Sequence, residues 1–177
     1  MRIVGIDPGL NTTGYGVVEC AGGALRLEEA GVVRSKARGT LSERIHAIHA
    51  GVADVLAALK PDVLAVERLY SHYDRPTTAI LMGHARGVIY LAAAEVEVPV
   101  YDYAATQVKK LLTGNGRAPK AQMQRAIARE LGLAEPPEPA DVADALAIAL
   151  CHYYMQKTSQ LVNLALSKKT RSARNPI

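Results

Sequence analysis

The sequence predicts a mixed α/β sheet with helices on both faces, and three observations carry that prediction. The opening third reads as three strands joined by short glycine-bearing turns. From about Thr40 the apolar residues recur at helical spacing instead. Thereafter short apolar strands and helical segments alternate to the end of the domain. At 177 residues and 49% apolar, the chain suits one compact domain with an ordinary core. It shows no internal repeat. We expect a domain over residues 1–157 and a basic, disordered C-terminal tail over 158–177.

Arg2 to Ile6 reads as a buried strand that delivers one carboxylate, Asp7, where Pro8-Gly9 forces a turn. An acid on the rim of a central strand suits a metal ligand or a general base. Asp before Pro-Gly also opens ordinary turns, so Asp7 alone is as readily punctuation. Asn11 to Val18, with glycines at 14 and 16, is the return strand of a hairpin. Gly22-Gly23 turns the chain into a third strand, Ala24 to Arg34.

Thr40-x-x-Glu43 fits a capping box, and Ile45, Ile48, Val52, Val55, Leu56 and Leu59 place an amphipathic helix over 41–59. Val63 to Val66 is a short buried strand ending at Glu67, which repeats the placement of Asp7. A polar, aromatic loop, Arg68 to Arg75, precedes a helix that starts at Pro76 and runs to about Glu95. Its Gly83, Gly87 and Ala94 form a small-residue face that lets another helix approach closely, either one of the same chain or, the sharper reading, one across a two-fold dimer. Val98 to Tyr101 is the fifth strand, at an edge or with Pro99 at its start. Helices follow over 107–112, from Pro119 to Leu131, and from Ala140 to about Gln156.

The last helix opens with Asp141 and Asp144, three apart and therefore on one face. Acids are ordinary near a helix N-terminus. These two, however, interrupt a run of small apolar residues that should lie against the sheet, where an unpaired charge is costly. Cations resolve that cost. Four carboxylates from two strand ends and one helix start could hold Mg²⁺, and two such ions can act on a phosphodiester.

Charge points the same way. The net charge is +4 and the pI about 9.1. Lys109, Lys110, Arg117, Lys120, Arg125 and Arg129 stand together with no acid between Asp102 and Glu130, and the residues from Lys157 onward are again basic without acids. Such one-sided stretches suit a polyanion. Cys20 and Cys151 form no metal-binding pair, the five histidines are scattered, and no apolar run approaches a membrane span. With Met1-Arg2 opening directly into a strand, a cytoplasmic protein is expected.

Gly5-Ile-Asp7-Pro-Gly9 with Gly14-Tyr-Gly16, Val66-Glu67, His84-Ala-Arg-Gly87, Tyr103-Ala-Ala-x-Gln107-Val-Lys-Lys110 and Asp141-x-x-Asp144-Ala-Leu-Ala together resemble the RuvC family of Holliday-junction resolvases, in order over about residues 1–155. The resemblance implies an RNase H-like fold with a five-stranded mixed sheet. It also implies a homodimer, a link to the RuvA–RuvB branch-migration machinery, and paired symmetric nicking of four-way DNA junctions with two Mg²⁺ ions, for which Mn²⁺ substitutes. In that pattern Asp7, Glu67, Asp141 and Asp144 match the catalytic and metal-binding carboxylates. Lys109 and Lys120 match lysines that attend the scissile phosphate. Tyr70 falls where the family stacks an aromatic on DNA at the crossover, with Tyr73 as the alternative. Arg75, Lys110 and Arg117 complete the expected DNA contacts. A different nuclease of the same fold, acting on other nucleic acids, is the competing reading.

Overall fold

The computed structural model describes residues 1–69 and 76–173. Its centre is one five-stranded sheet in the order β3-β2-β1-β4-β5, which is the mixed α/β architecture the sequence predicts. β1 (Arg2–Asp7), β2 (Thr12–Ala21) and β3 (Ala24–Arg34) form an antiparallel meander. β4 (Val63–Glu67) then joins the other side of β1 in parallel, and β5 (Val100–Tyr103) joins β4 in parallel at the edge.

The connections explain the order. An antiparallel pair needs only a tight turn, and Gly22 (φ +58°) and Gly23 (φ +85°) adopt the left-handed conformations that join β2 to β3. A parallel pair needs a crossover, which α1 (Leu41–Leu59) and α2 (Pro76–Glu95) supply. The α1 capping box forms as predicted: Glu43 N–H donates to Thr40 Oγ1, and Thr40 N–H donates to the Glu43 carboxylate at 2.7 Å. Lys60, left-handed at φ 44°, ends that helix.

Two cores sandwich the sheet. Val4, Ile6, Leu64 and Val66 face α1 and α2, where they meet Ile48, Val52, Ala85 and Ile89. Ile3, Val18, Val63 and Ala65 face α3 (Ala105–Thr113), α4 (Lys120–Leu131) and α5 (Ala140–Ala173), meeting Val108, Ile127, Leu146 and Leu150. The alternation of Ile3/Val4 and Val63/Leu64 between cores follows from the two-residue period of a strand covered on both faces.

Several boundaries differ from the sequence prediction, and two of the differences have a clear cause. β5 begins at Val100, after Pro99, because a proline cannot donate to the ladder; the Pro99 carbonyl instead accepts from Leu64 N–H at 2.9 Å. α5 runs to Ala173, well beyond the predicted stop near Gln156. No glycine or proline interrupts residues 140–175, so nothing local ends the helix, and it continues through much of the stretch expected to form the tail.

Candidate functional site

The four predicted acids come together at one rim of the sheet. β1 and β4 are parallel neighbours, so their C-terminal ends, carrying Asp7 and Glu67, lie side by side. α5 starts at the same rim because, at Gly5 and Gly14, it presses on β1 and β2 without intervening side chains. A Cβ on Gly14 would sit 2.1 Å from the Asp141 carbonyl, and one on Gly5 would sit 2.1 Å from the Ala145 carbonyl. Only glycine at those strand positions lets the helix backbone approach so closely. Gly14 is the ladder partner of Asp7, so this close approach brings the first turn of α5 to the Asp7 carboxylate. Asp141 and Asp144 remain half-buried while Val142, Ala143, Ala145 and Leu146 between and beyond them are buried.

The electrostatics are those of an unbalanced cluster. Asp7 is pushed up to about 7 from an ordinary 3.8, first by burial and then by the charges of Glu67, Asp144 and Asp141, with Lys120 opposing. Glu67 is raised by burial and by Asp144, against Lys109 and Arg86. Asp144 is raised by burial, with Asp141 adding to it and Lys120 and Lys109 opposing. Desolvation and like-charge repulsion act together on carboxylates that share one site.

Lys120, at the start of α4, stands 3.8 Å from Asp144 Oδ2. Lys109 on α3 is near enough to act on both Glu67 and Asp144. The structure therefore brings both predicted lysines to the acids from two helices. Lys110 and Arg117 lie exposed on the same α3–α4 segment. Tyr70, Tyr73 and Arg75 lie outside the described residues. Two adjoining hollows open beside Glu67 and share it with Arg68 and Leu69. The smaller, about 30 Å³, is also lined by Asp7, Pro8 and Met82; the larger, about 300 Å³, by Ala104, Ala105 and Thr106.

Sequence reasoning missed a second polar cluster beside the first. Arg86 on α2 donates to the Glu67 backbone carbonyl, to Tyr90 Oη at 2.8 Å and to Asp102 Oδ1 at 2.6 Å, and Tyr90 donates to the same Asp102 oxygen at 2.6 Å. Arg86 was visible only as part of a motif, and Asp102 as one end of a basic stretch. His152 is also settled: it is wholly buried and its Nδ1 is hydrogen-bonded to Tyr103 Oη at 2.8 Å, which makes it a core residue.

The acid set fits a hard divalent cation. Among the described residues no three His, Cys, Asp or Glu side chains are drawn tightly enough to cage one ion. Mg²⁺ does not require such a cage, since it keeps several waters and binds through one or two carboxylates together with substrate phosphate oxygens. Desolvated carboxylates that raise one another's pKa are stabilised by such a charge.

Residues 3–152 match the family model described as crossover junction endodeoxyribonuclease RuvC. A protein of that description from Rhodopirellula baltica is 60% identical over 153 residues, covering 86% of each chain. Among solved structures, Thermus thermophilus RuvC superposes with a TM-score of 0.83 at 39% identity, covering 90% of this chain and 97% of that one. The same protein in complex with a Holliday junction substrate gives 0.81 at 37% identity, covering 89% and 96%.

Proposed function

The chain belongs to the crossover junction endodeoxyribonuclease RuvC family, and from that premise we propose how its own residues cut DNA. The protein is an endodeoxyribonuclease that resolves four-way junctions by paired symmetric nicks in recombination and repair. The observation that carries the site assignment is the meeting of Asp7, Glu67, Asp141 and Asp144 at one rim, with Asp7 raised to about 7.

In this reading the four carboxylates hold two Mg²⁺ ions, or Mn²⁺ in their place. When bound, the metal pair supplies an activated water and charge stabilisation for the leaving oxygen of a phosphodiester. Asp7, fixed by the central strand, lies between the other ligands. Glu67 approaches from β4, and Asp141 and Asp144 from the helix above. Lys120 and Lys109, which already offset the charge of Asp144 and Glu67, hold the scissile phosphate against a cluster that would otherwise repel it. Lys110 and Arg117 position the duplex arms through phosphates without reading sequence. The family resemblance assigns stacking on DNA at the crossover to Tyr70 or Tyr73, and a DNA contact to Arg75.

Paired nicking needs two sites, and α2 offers the surface that would unite them. Ile80, His84, Gly87, Leu91 and Ala94 form one exposed stripe, with Ile80 and Leu91 62% and 51% exposed. A Cβ at Gly83 or Gly87 would meet nothing within 4 Å, so a second α2 has room to approach closely. The stripe supports a homodimer across α2, and the family resemblance implies the RuvA–RuvB machinery as the partner that delivers junctions. We assign the nuclease domain to residues 1–157, with the residues from 158 as a basic extension. Among the described residues no helix is long and apolar enough to cross a membrane; cytoplasmic action is proposed from membership of a DNA-processing family.

The test is incubation with a synthetic four-way junction and with linear duplex, each with Mg²⁺ and with EDTA. Symmetric paired nicks on the junction in Mg²⁺ alone are expected. Equal cutting of duplex, or of an RNA–DNA hybrid, would instead show a nuclease of different selectivity.

A further inference from the structure

We propose that Arg86 is a positioning residue for Glu67, which it holds in register for metal binding by clamping the end of β4 to α2 and β5. This rests on the reading of Glu67 as a metal ligand. The need for a clamp is visible in the ladder. β4 pairs with β1 only as far as Val66, so at Glu67 the strand has lost one neighbour and keeps only Tyr103 of β5. Backbone at the end of a strand is the least constrained part of a sheet, yet Glu67 must present its carboxylate to within tenths of an ångström.

Arg86 supplies the missing restraint. Its Nη1 donates to the Glu67 backbone carbonyl, on the residue itself and not on a neighbour. Its Nη2 donates to Asp102, the residue that faces Val66 across the β4–β5 ladder, and to Tyr90 one helical turn further along α2. Tyr90 completes the ring by donating to Asp102, and the guanidinium lies 5.1 Å from the centre of the Tyr90 ring. The Arg86 side chain is only 13% exposed. A planar guanidinium can satisfy these acceptors at once because its donors are held in a rigid fork. Lysine, a single point of charge, can keep the ion pair with Asp102 but cannot also span to the carbonyl and the phenol.

That difference provides the experiment. Arg86→Lys and Arg86→Met are made in the full chain, alone and in a Glu67→Gln background, and folding is checked by thermal melting. Mn²⁺ binding is then followed by electron paramagnetic resonance, and junction cleavage by kcat and KM. Arg86→Lys should stay folded, bind Mn²⁺ roughly 10-fold or more weakly, and lose kcat with little change in KM, as expected for a residue that orients a metal ligand. In the Glu67→Gln background the same substitution should weaken Mn²⁺ binding no further, because its effect passes through Glu67. Wild-type Mn²⁺ affinity in a folded Arg86→Lys, or losses that multiply independently in the double variant, would overturn the proposal. So would failure of both Arg86→Lys and Arg86→Met to fold, which would make Arg86 a purely structural ion-pair partner. Failure of the wild type to cut junctions would sink the nuclease reading instead, and the Mn²⁺ comparison would still be readable.

Discussion

Two polar clusters, one of four acids and one built round an Arg86–Asp102 ion pair, lie one strand apart at the same rim of the sheet, and their electrostatics are opposite. In the first, burial and mutual repulsion raise Asp7, Glu67 and Asp144. In the second, burial alone would raise Asp102, but hydrogen bonds from Arg86 and Tyr90 and the Arg86 charge outweigh it and hold the carboxyl below its ordinary range. Tyr90 is correspondingly raised to about 12, by burial and by its bond to Asp102, and stays a neutral donor. The second cluster is complete as it stands. The first is held together by the fold against its own repulsion, which is the difference expected between the cation site proposed above and a cluster that only braces a strand.

The contrast can be broken from either side. Asp7→Asn carries the largest effect: junction nicking should fall by about a thousandfold or more, as for loss of a metal ligand, while junction binding persists. The same variant should melt higher than wild type in EDTA at neutral pH, because it removes a desolvated, repelled charge. Retained cleavage would return Asp7 to the role of a turn residue. Asp102→Asn should do the reverse and cost about 1–2 kcal/mol in denaturant unfolding, a figure reduced for the partial exposure of the pair. A stabilised Asp102→Asn would show that the second cluster is strained as well.

The remaining effect is a pH slope. Asp7 has its folded pKa raised to about 7 from 3.8, so between those values the folded state binds more protons than the unfolded state. Stability of the metal-free protein should therefore fall with rising pH across that window. Measured as the gap between Asp7→Asn and wild type, the effect should be near zero at about pH 4, grow towards pH 7 and then level off. Saturating Mg²⁺ should close the gap. A gap that is constant with pH would mean that Asp7 titrates normally.

Much of the first cluster was legible in the sequence, and little of the second. Asp7, Glu67, Asp141 and Asp144 each break an apolar run at the boundary of an element, and such interruptions show in one dimension. The meander, the α1 capping box and the edge position of β5 were visible for similar reasons, since turn residues, caps and prolines act locally. Arg86 and Asp102 lie 16 positions apart on a helix and a strand, and each looks ordinary in its own segment. Only the tertiary packing of α2 on β4 and β5 brings them together. The length of α5 is not legible locally, because a basic stretch suits either a solvated tail or a helix built from good formers such as Leu, Ala and Lys.

Titration of Mg²⁺ into the metal-free protein by calorimetry tests most directly whether the repelling cluster is a cation site. Wild type should bind with a heat signal that Asp7→Asn removes or weakens at least tenfold. Identical titration curves for wild type and Asp7→Asn would contradict that reading.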